Sequence, residues 1–204
     1  MTLPRLWYAT FTFLCLGVAL VSTRAFFLPL SEVMPNMVTY LTSAPVALWV
    51  HLTLGPLAML LAPFQLSTRL RATHPRVHRI MGYTYGVSIL LAGLASLGIA
   101  ASFEGSNWAR VGFVLLGLMW LGATAIGISF AIRGQTARHR AWMLRSIALT
   151  FAAVTLRLIM PFLMASGWTV LETYDVTAWA SWGINLLVVE LYLRRGTVRS
   201  TALA

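Results

Sequence analysis

The chain has no lysine, a single cysteine and only five acidic residues among its 204. Each shortage excludes something. A lone Cys15 supports neither a disulfide framework nor a cysteine metal motif. Charged residues make up 10% of the chain, where soluble domains carry about 25%, so an ordinary soluble domain is excluded. HExxH, P-loop, GxGxxG, GxSxG and CxxC motifs are all missing. No serine or cysteine nucleophile has a base near it in sequence. All fifteen basic residues are arginines, giving a net charge of +10. Most of them cluster in short loops between apolar runs and in the tail, which argues against a nucleic-acid partner and for a topology signal.

The chain is rich in apolar residues, 59% of the total, with a mean hydropathy of +0.80. Six runs are each long enough for the roughly 20 residues of a transmembrane helix: 7–28, 46–66, 80–101, 111–132, 142–165 and 177–193. They are nearly continuous rather than alternating, which favours helices over a membrane barrel. The expected fold is therefore all-α: a polytopic integral membrane protein with six transmembrane helices in one bundle, a single domain over 1–204. The first run reads as a retained helix, because Arg24 stands where a small-residue cleavage site belongs. The loop 29–45 has room for a short interfacial helix.

Orientation follows from the arginines. Arg69, Arg71, Arg76 and Arg79 lie between spans two and three, and Arg133, Arg138, Arg140 and Arg145 between spans four and five. Arg194, Arg195 and Arg199 follow span six, while Glu32, Glu104, Glu172 and Asp175 face the other side, opposed by Arg110. The asymmetry places both termini in the cytoplasm, the chain being a multi-pass membrane protein with the lipid bilayer as first partner. Trp7, Tyr8, Tyr40, Trp108, Trp142, Trp168 and Tyr192 flank spans as an interfacial belt does.

Ionisable groups inside spans are costly and mark functional sites. At about 1.5 Å per residue, His51 lies ~9 Å and Arg157 ~12 Å below the outer boundary. Asn185 and Arg24 are at similar depth, forming an outer polar layer that contains no acid. Arg24 is also close enough to an end to snorkel. A second layer is cytoplasmic: Gln65 closes span two, His78 and Arg79 open span three, and His139, Arg140 and Arg145 open span five. Glu190, one turn inside span six, is expected to pair with one of these arginines, as a structural or proton-handling group. His51, Gly55, Ala58, Ala62 and Gln65 share one face of span two. His78, Gly82 and Tyr85 form one stripe of span three, and His139 and Arg157 are five turns apart in span five if that helix is regular.

Two helix-borne histidines at equal depth can ligate a haem iron from opposite sides. His78 and His139 qualify, with Arg79, Arg145 and Tyr85 beside them. The same histidines with His74 and Glu190 offer zinc as the alternative, and a chain without any cofactor is the third possibility.

Several phrases are familiar together: His51 through "GPLAMLLAPFQ", then "RLRATHPRVHRIMGYTY", "ARHRAWMLRSIALTFAAVTLR" and "NLLVVE". From His51 to Glu190 the chain resembles a bacterial membrane-protein family called domain of unknown function 2306. The resemblance implies a multi-helix membrane protein. It carries over the positions His51, Gln65, His78, Arg79, Gly82, Tyr85, His139, Trp142, Arg145, Arg157 and Glu190, and no activity. Span four has no histidine, unlike the di-haem transmembrane cytochromes b, which use four on consecutive helices.

The leading expectation is a membrane redox protein with one b-type haem and an outer pocket of His51, Arg24, Arg157 and Asn185 for a quinone or an anion. The alternatives are a small-anion or proton-coupled transporter, and a non-catalytic assembly partner of another membrane subunit.

Overall fold

The computed structural model describes residues 5–201, with side chains through residue 195. Arg199, read above as part of the tail, lies outside the described side chains. Among the described residues the regular elements are helical: α1 (Arg5–Ser22), α2 (Leu30–Val33), α3 (Tyr40–Ser43), α4 (Pro45–Leu66), α5 (Thr68–Thr73), α6 (Pro75–Ala101), α7 (Asn107–Ile132), α8 (Thr136–Thr150), α9 (Ala152–Ala165) and α10 (Val170–Thr201). Turns of 3-10 helix cover Thr23–Phe26 and Pro35–Met37. Six stretches are long and apolar enough to cross a bilayer, the first Arg5–Phe26, the fifth Thr136–Ala165 and the last Val170–Arg195.

Spans three to six each begin earlier than their apolar runs, at Pro75, Asn107, Thr136 and Val170. Hydropathy does not mark these starts because local backbone chemistry sets them. Proline occupies the first turn of α4 and of α6, where its missing N–H costs nothing. Ser106 caps α7 by accepting from the Ala109 N–H at 3.0 Å. At its other end α7 stops at Gly134, whose φ of +70° is the left-handed conformation that glycine adopts freely. The loop 29–45 holds α2, a 3-10 turn and α3 rather than one short helix, and it buries Leu30 and Tyr40 against Leu48 and Leu52 of α4.

Packing centres on α4 against α6, with α7 on α6, α8 on α7, α10 on α9 and α7, and α1 on α4. The core at this crossing is built from Ala58, Ala62, Tyr85, Ile89, Ala92, Trp120, Ile147 and Leu149. Small residues let helix backbones approach, which is how packing is gained where lipid removes the hydrophobic drive. Gly112 is the tightest case that involves backbone: a Cβ there would stand 2.9 Å from the Ala178 carbonyl oxygen and 2.9 Å from Trp179 Nε1. Gly112→Val is therefore expected to push α7 off α10 and cost about 1–3 kcal/mol. Gly122→Ala, with nothing within 4 Å, serves as the neutral control. Thermal unfolding in detergent checks this, and equal melting of the two variants would refute the close approach.

Val46, Leu20, Val87, Leu118, Phe162 and Leu187, one from each span, have half or more of their surface uncovered. Such a continuous apolar exterior suits hydrocarbon and not water. Because six spans alternate in direction, Arg5, α5, the link at 133–135 and the far end of α10 share one end of the bundle. That end carries the arginine loops, with Glu190 its only described acid; Glu32, Glu104, Glu172 and Asp175 lie at the opposite end.

Candidate functional site

At the arginine-rich end, His78 is the fourth residue of α6 and His139 the fourth residue of α8. Both thus stand one turn inside the same end of the bundle. The His139 Nδ1–H donates to the Gly127 carbonyl of α7 at 2.8 Å. That bond fixes the ring and leaves the Nε2 lone pair free, the arrangement that orients ligating histidines. The Nδ1 of His78 is buried and has no hydrogen-bond partner among the described residues. Gln65 Nε2 reaches the His78 carbonyl at 3.5 Å, and a Cβ at Gly82 would stand 3.3 Å from Gln65 Oε1, so Gly82 makes room for that side chain. Arg79 is exposed.

Arg145 is committed elsewhere. Its Nε and Nη2 donate to the two carboxylate oxygens of Glu190 at 2.5 and 3.0 Å, and its guanidinium lies 4.8 Å over the Trp142 ring. This is the pairing expected of Glu190, and it ties α8 to α10. Both side chains keep some exposure, 24% and 36%, so the pair is screened and Glu190→Gln is expected to cost only about 1–2 kcal/mol. Combined with Arg145→Gln the loss should be less than additive, which a double-mutant cycle in detergent measures.

Deeper in the bundle is a cluster of hydroxyls that the sequence reading placed only in part. Tyr85 is fully buried, and its hydroxyl lies 2.8 Å from Thr150 Oγ1 and 3.0 Å from Ser146 Oγ. Thr150 donates to the Ser146 carbonyl (3.0 Å) and accepts from Trp120 Nε1 (2.9 Å). Thr124 donates to the Trp120 carbonyl (2.7 Å), so the Ser146 hydroxyl donates to Thr124 (2.7 Å). The Tyr85 proton is then shared between Thr150 and Ser146. Proton paths here end on the main-chain carbonyls of Trp120 and Ser146, and no basic group lies among these partners. The cluster is a clamp joining α6, α7 and α8, not a proton wire. Ser146 and Thr150 lie seven and eleven residues after His139, a helical stripe that could have been read from the sequence.

The five-turn register between His139 and Arg157 needs correction. The fifth span breaks at Phe151, between α8 and α9. Phe151 N–H still donates to the Ile147 carbonyl at 2.9 Å, but Val154 and Thr155 N–H both then turn to the Phe151 carbonyl (2.9 and 3.1 Å). The Ala148 carbonyl accepts instead from Asn185 Nδ2 at 3.1 Å, while Asn185 Oδ1 accepts from Thr155 Oγ1 at 2.9 Å. A side chain from α10 is inserted into the ladder, a recognised cause of helix breaks. Asn185, expected in the outer pocket, spends its amide on this junction.

Of the other outer groups, His51 donates Nδ1–H to the Ala92 carbonyl of α6 at 3.0 Å, leaving Nε2 free. Arg157 donates Nη1–H to the Ala153 carbonyl one turn back at 3.0 Å, its only hydrogen bond among the described residues. Arg24 lies in the exposed 3-10 turn that closes the first span, and no polar contact joins its side chain to His51 or Arg157 among the described residues. Outside the spans, burial pushes the Tyr40 phenol up to about 12, with Tyr174 and Glu104 adding to the effect.

Among the described residues, no three of His, Cys, Asp and Glu come together as a metal ion requires. His74 instead has its Nδ1 2.8 Å from Thr73 Oγ1, and Glu190 is held by Arg145. The residues present therefore do not fit zinc. A haem needs two nitrogen donors, and this end of the bundle offers two imidazoles, the unpartnered Nδ1 of His78 and the oriented ring of His139.

A family model described as predicted membrane protein (DUF2306) matches residues 48–193. No curated protein and no solved structure matches the chain.

Proposed function

The chain belongs to the DUF2306 family of predicted membrane proteins, and from that premise we propose that it is a transmembrane redox protein holding one b-type haem between His78 and His139. The arginine loops and both termini face the cytoplasm of a bacterial cell, and the spans lie in its inner membrane. One observation carries the reading: a buried imidazole nitrogen on α6, unpartnered among the described residues, and, one turn inside the same bundle end, a second imidazole on α8 oriented by a carbonyl bond.

His78 and His139 would hold the haem through their imidazole nitrogens. Carboxylates at the same end would pair with guanidinium groups, a pairing stronger than neutral hydrogen bonds. Arg145 does not serve, because Glu190 occupies it. When bound, the haem supplies one-electron transfer; the protein's part is to hold it at the membrane edge and to set its polarity. In the outer half, Arg157 has guanidinium N–H groups to spare and His51 a free Nε2. Together they suit a quinone carbonyl or a small anion. The clamp around Tyr85 keeps α6, α7 and α8 in register between these two regions. The test is the absorption spectrum of protein expressed with a haem supply. A Soret band that shifts on reduction supports the reading, and a featureless spectrum rejects it.

A second reading is favoured by the break at Phe151. Discontinuous membrane helices near the middle of a span commonly border transport sites, and Arg157 lies on α9 just beyond this one. In that reading Arg157 and His51 bind a small anion in transit. Anion flux into liposomes that Arg157→Ala leaves unchanged would count against it.

A further inference from the structure

We propose that the face formed by α5 and the first turns of α6 is a binding site for an anionic phospholipid, with its phosphate held by arginines and its acyl chains laid along α6. The bundle end that carries this face has a large excess of cations: Arg69, Arg71, Arg76 and Arg79 are all exposed, and none has an acidic partner among the described residues. The Arg145 guanidinium at this end is already paired within the bundle, with Glu190. Arginine rather than lysine at all four positions matters, because the planar guanidinium grips phosphate through two parallel donors.

Shape agrees with charge. α5 is a single short helix lying between two spans, capped by Ser67, whose Oγ accepts from the Leu70 N–H at 3.1 Å. Ser67, Arg69, Leu70, Thr73 and His74 line a shallow open depression there, with hydroxyl and cationic groups at its rim. From this level the exposed side chains Val77, Ile80, Tyr83 and Val87 run down α6 toward the bilayer centre. A headgroup site thus opens directly onto an apolar stripe long enough for acyl chains. Polybasic segments beside a span attract anionic lipid, and the attraction fades within a Debye length of salt. A free phosphate would satisfy the arginines but leave the stripe unused, so the lipid is the occupant assigned here.

The experiment uses the full chain purified in mild detergent and examined by native mass spectrometry and thermal unfolding, with phosphatidylglycerol, phosphatidylcholine or inorganic phosphate added. Phosphatidylglycerol is expected to stay bound and to raise the melting temperature by about 2–4 °C, with the shift shrinking at high salt. Phosphatidylcholine and inorganic phosphate should do neither. Each of Arg69→Gln, Arg71→Gln, Arg76→Gln and Arg79→Gln should weaken retention roughly fivefold. Arg133→Gln, in the other arginine loop, should leave it unchanged and controls for net charge. Equal stabilisation by phosphatidylcholine or by inorganic phosphate, or equal weakening by Arg133→Gln, overturns the assignment. If a quadruple variant fails to fold, the single variants keep the test open.

Discussion

Tyr85→Ala is expected to destabilise the folded bundle by about 3–5 kcal/mol, the range seen when a buried aromatic is cut to alanine. The ring is fully buried where α4, α6, α7 and α8 meet, so its removal leaves a cavity in the central core. Tyr85→Phe keeps the ring and removes only the hydroxyl that bridges Ser146 and Thr150. Thr150 retains its bond from Trp120, and Ser146 keeps its bond to Thr124. The phenylalanine variant should therefore lose only about 0.5–1.5 kcal/mol, as single hydrogen bonds between membrane helices do. Unfolding in mixed detergent measures both. A phenylalanine variant as unstable as the alanine variant would mean that the hydroxyl network, and not packing, holds this crossing together. An alanine variant as stable as the parent would remove the clamp altogether.

The second large effect concerns the histidine pair. His78→Ala and His139→Ala should each reduce haem retained on purification more than tenfold, since axial ligands and the groups that orient them commonly contribute that much. His74→Ala should retain the parental amount, because His74 is exposed and its Nδ1 lies against Thr73. The three variants separate ligation from a general effect of losing an imidazole near the membrane surface. Equal loss in His74→Ala would point to damage at the α5–α6 corner instead. Arg145→Gln is informative beside them: it should lower stability through Glu190 and leave retained haem unchanged, because that guanidinium already has a carboxylate.

Much of this molecule is legible in the sequence because the membrane simplifies the code. Apolar runs near 20 residues have one ordinary outcome, a helix; five of the six runs lie within a helical span, and the first overshoots its span, which ends at Phe26, by two residues. Their starts were misjudged because Pro75, the Ser106 cap and the polar residues around Thr136 obey backbone chemistry that hydropathy does not register. The equal depth of His78 and His139, and the pairing of Glu190 with an arginine, follow from residue counting along helices. The break at Phe151 does not. No proline or glycine marks it; its cause is Asn185, far along the chain, whose amide becomes a backbone partner only once α10 packs on α8 and α9. For the same reason residue depth overstates the outer layer. Depth alone groups Arg24, His51, Arg157 and Asn185, but depth does not say where a side chain's donors are spent. His51 turns to the Ala92 carbonyl and Arg157 to that of Ala153, while Asn185 turns to the helix junction and Arg24 to the surface. The hydroxyls of Ser146 and Thr150 were overlooked because serine and threonine inside a membrane helix usually bond their own backbone; here they also bridge three helices.

The haem-to-protein ratio of the purified full chain tests the central claim most directly, measured from the haemochrome spectrum with His139→Ala prepared in parallel. The account predicts one haem per chain in the parent and almost none in the variant. A parent that carries no haem when haem is plentiful, or a variant that carries as much as the parent, would contradict it.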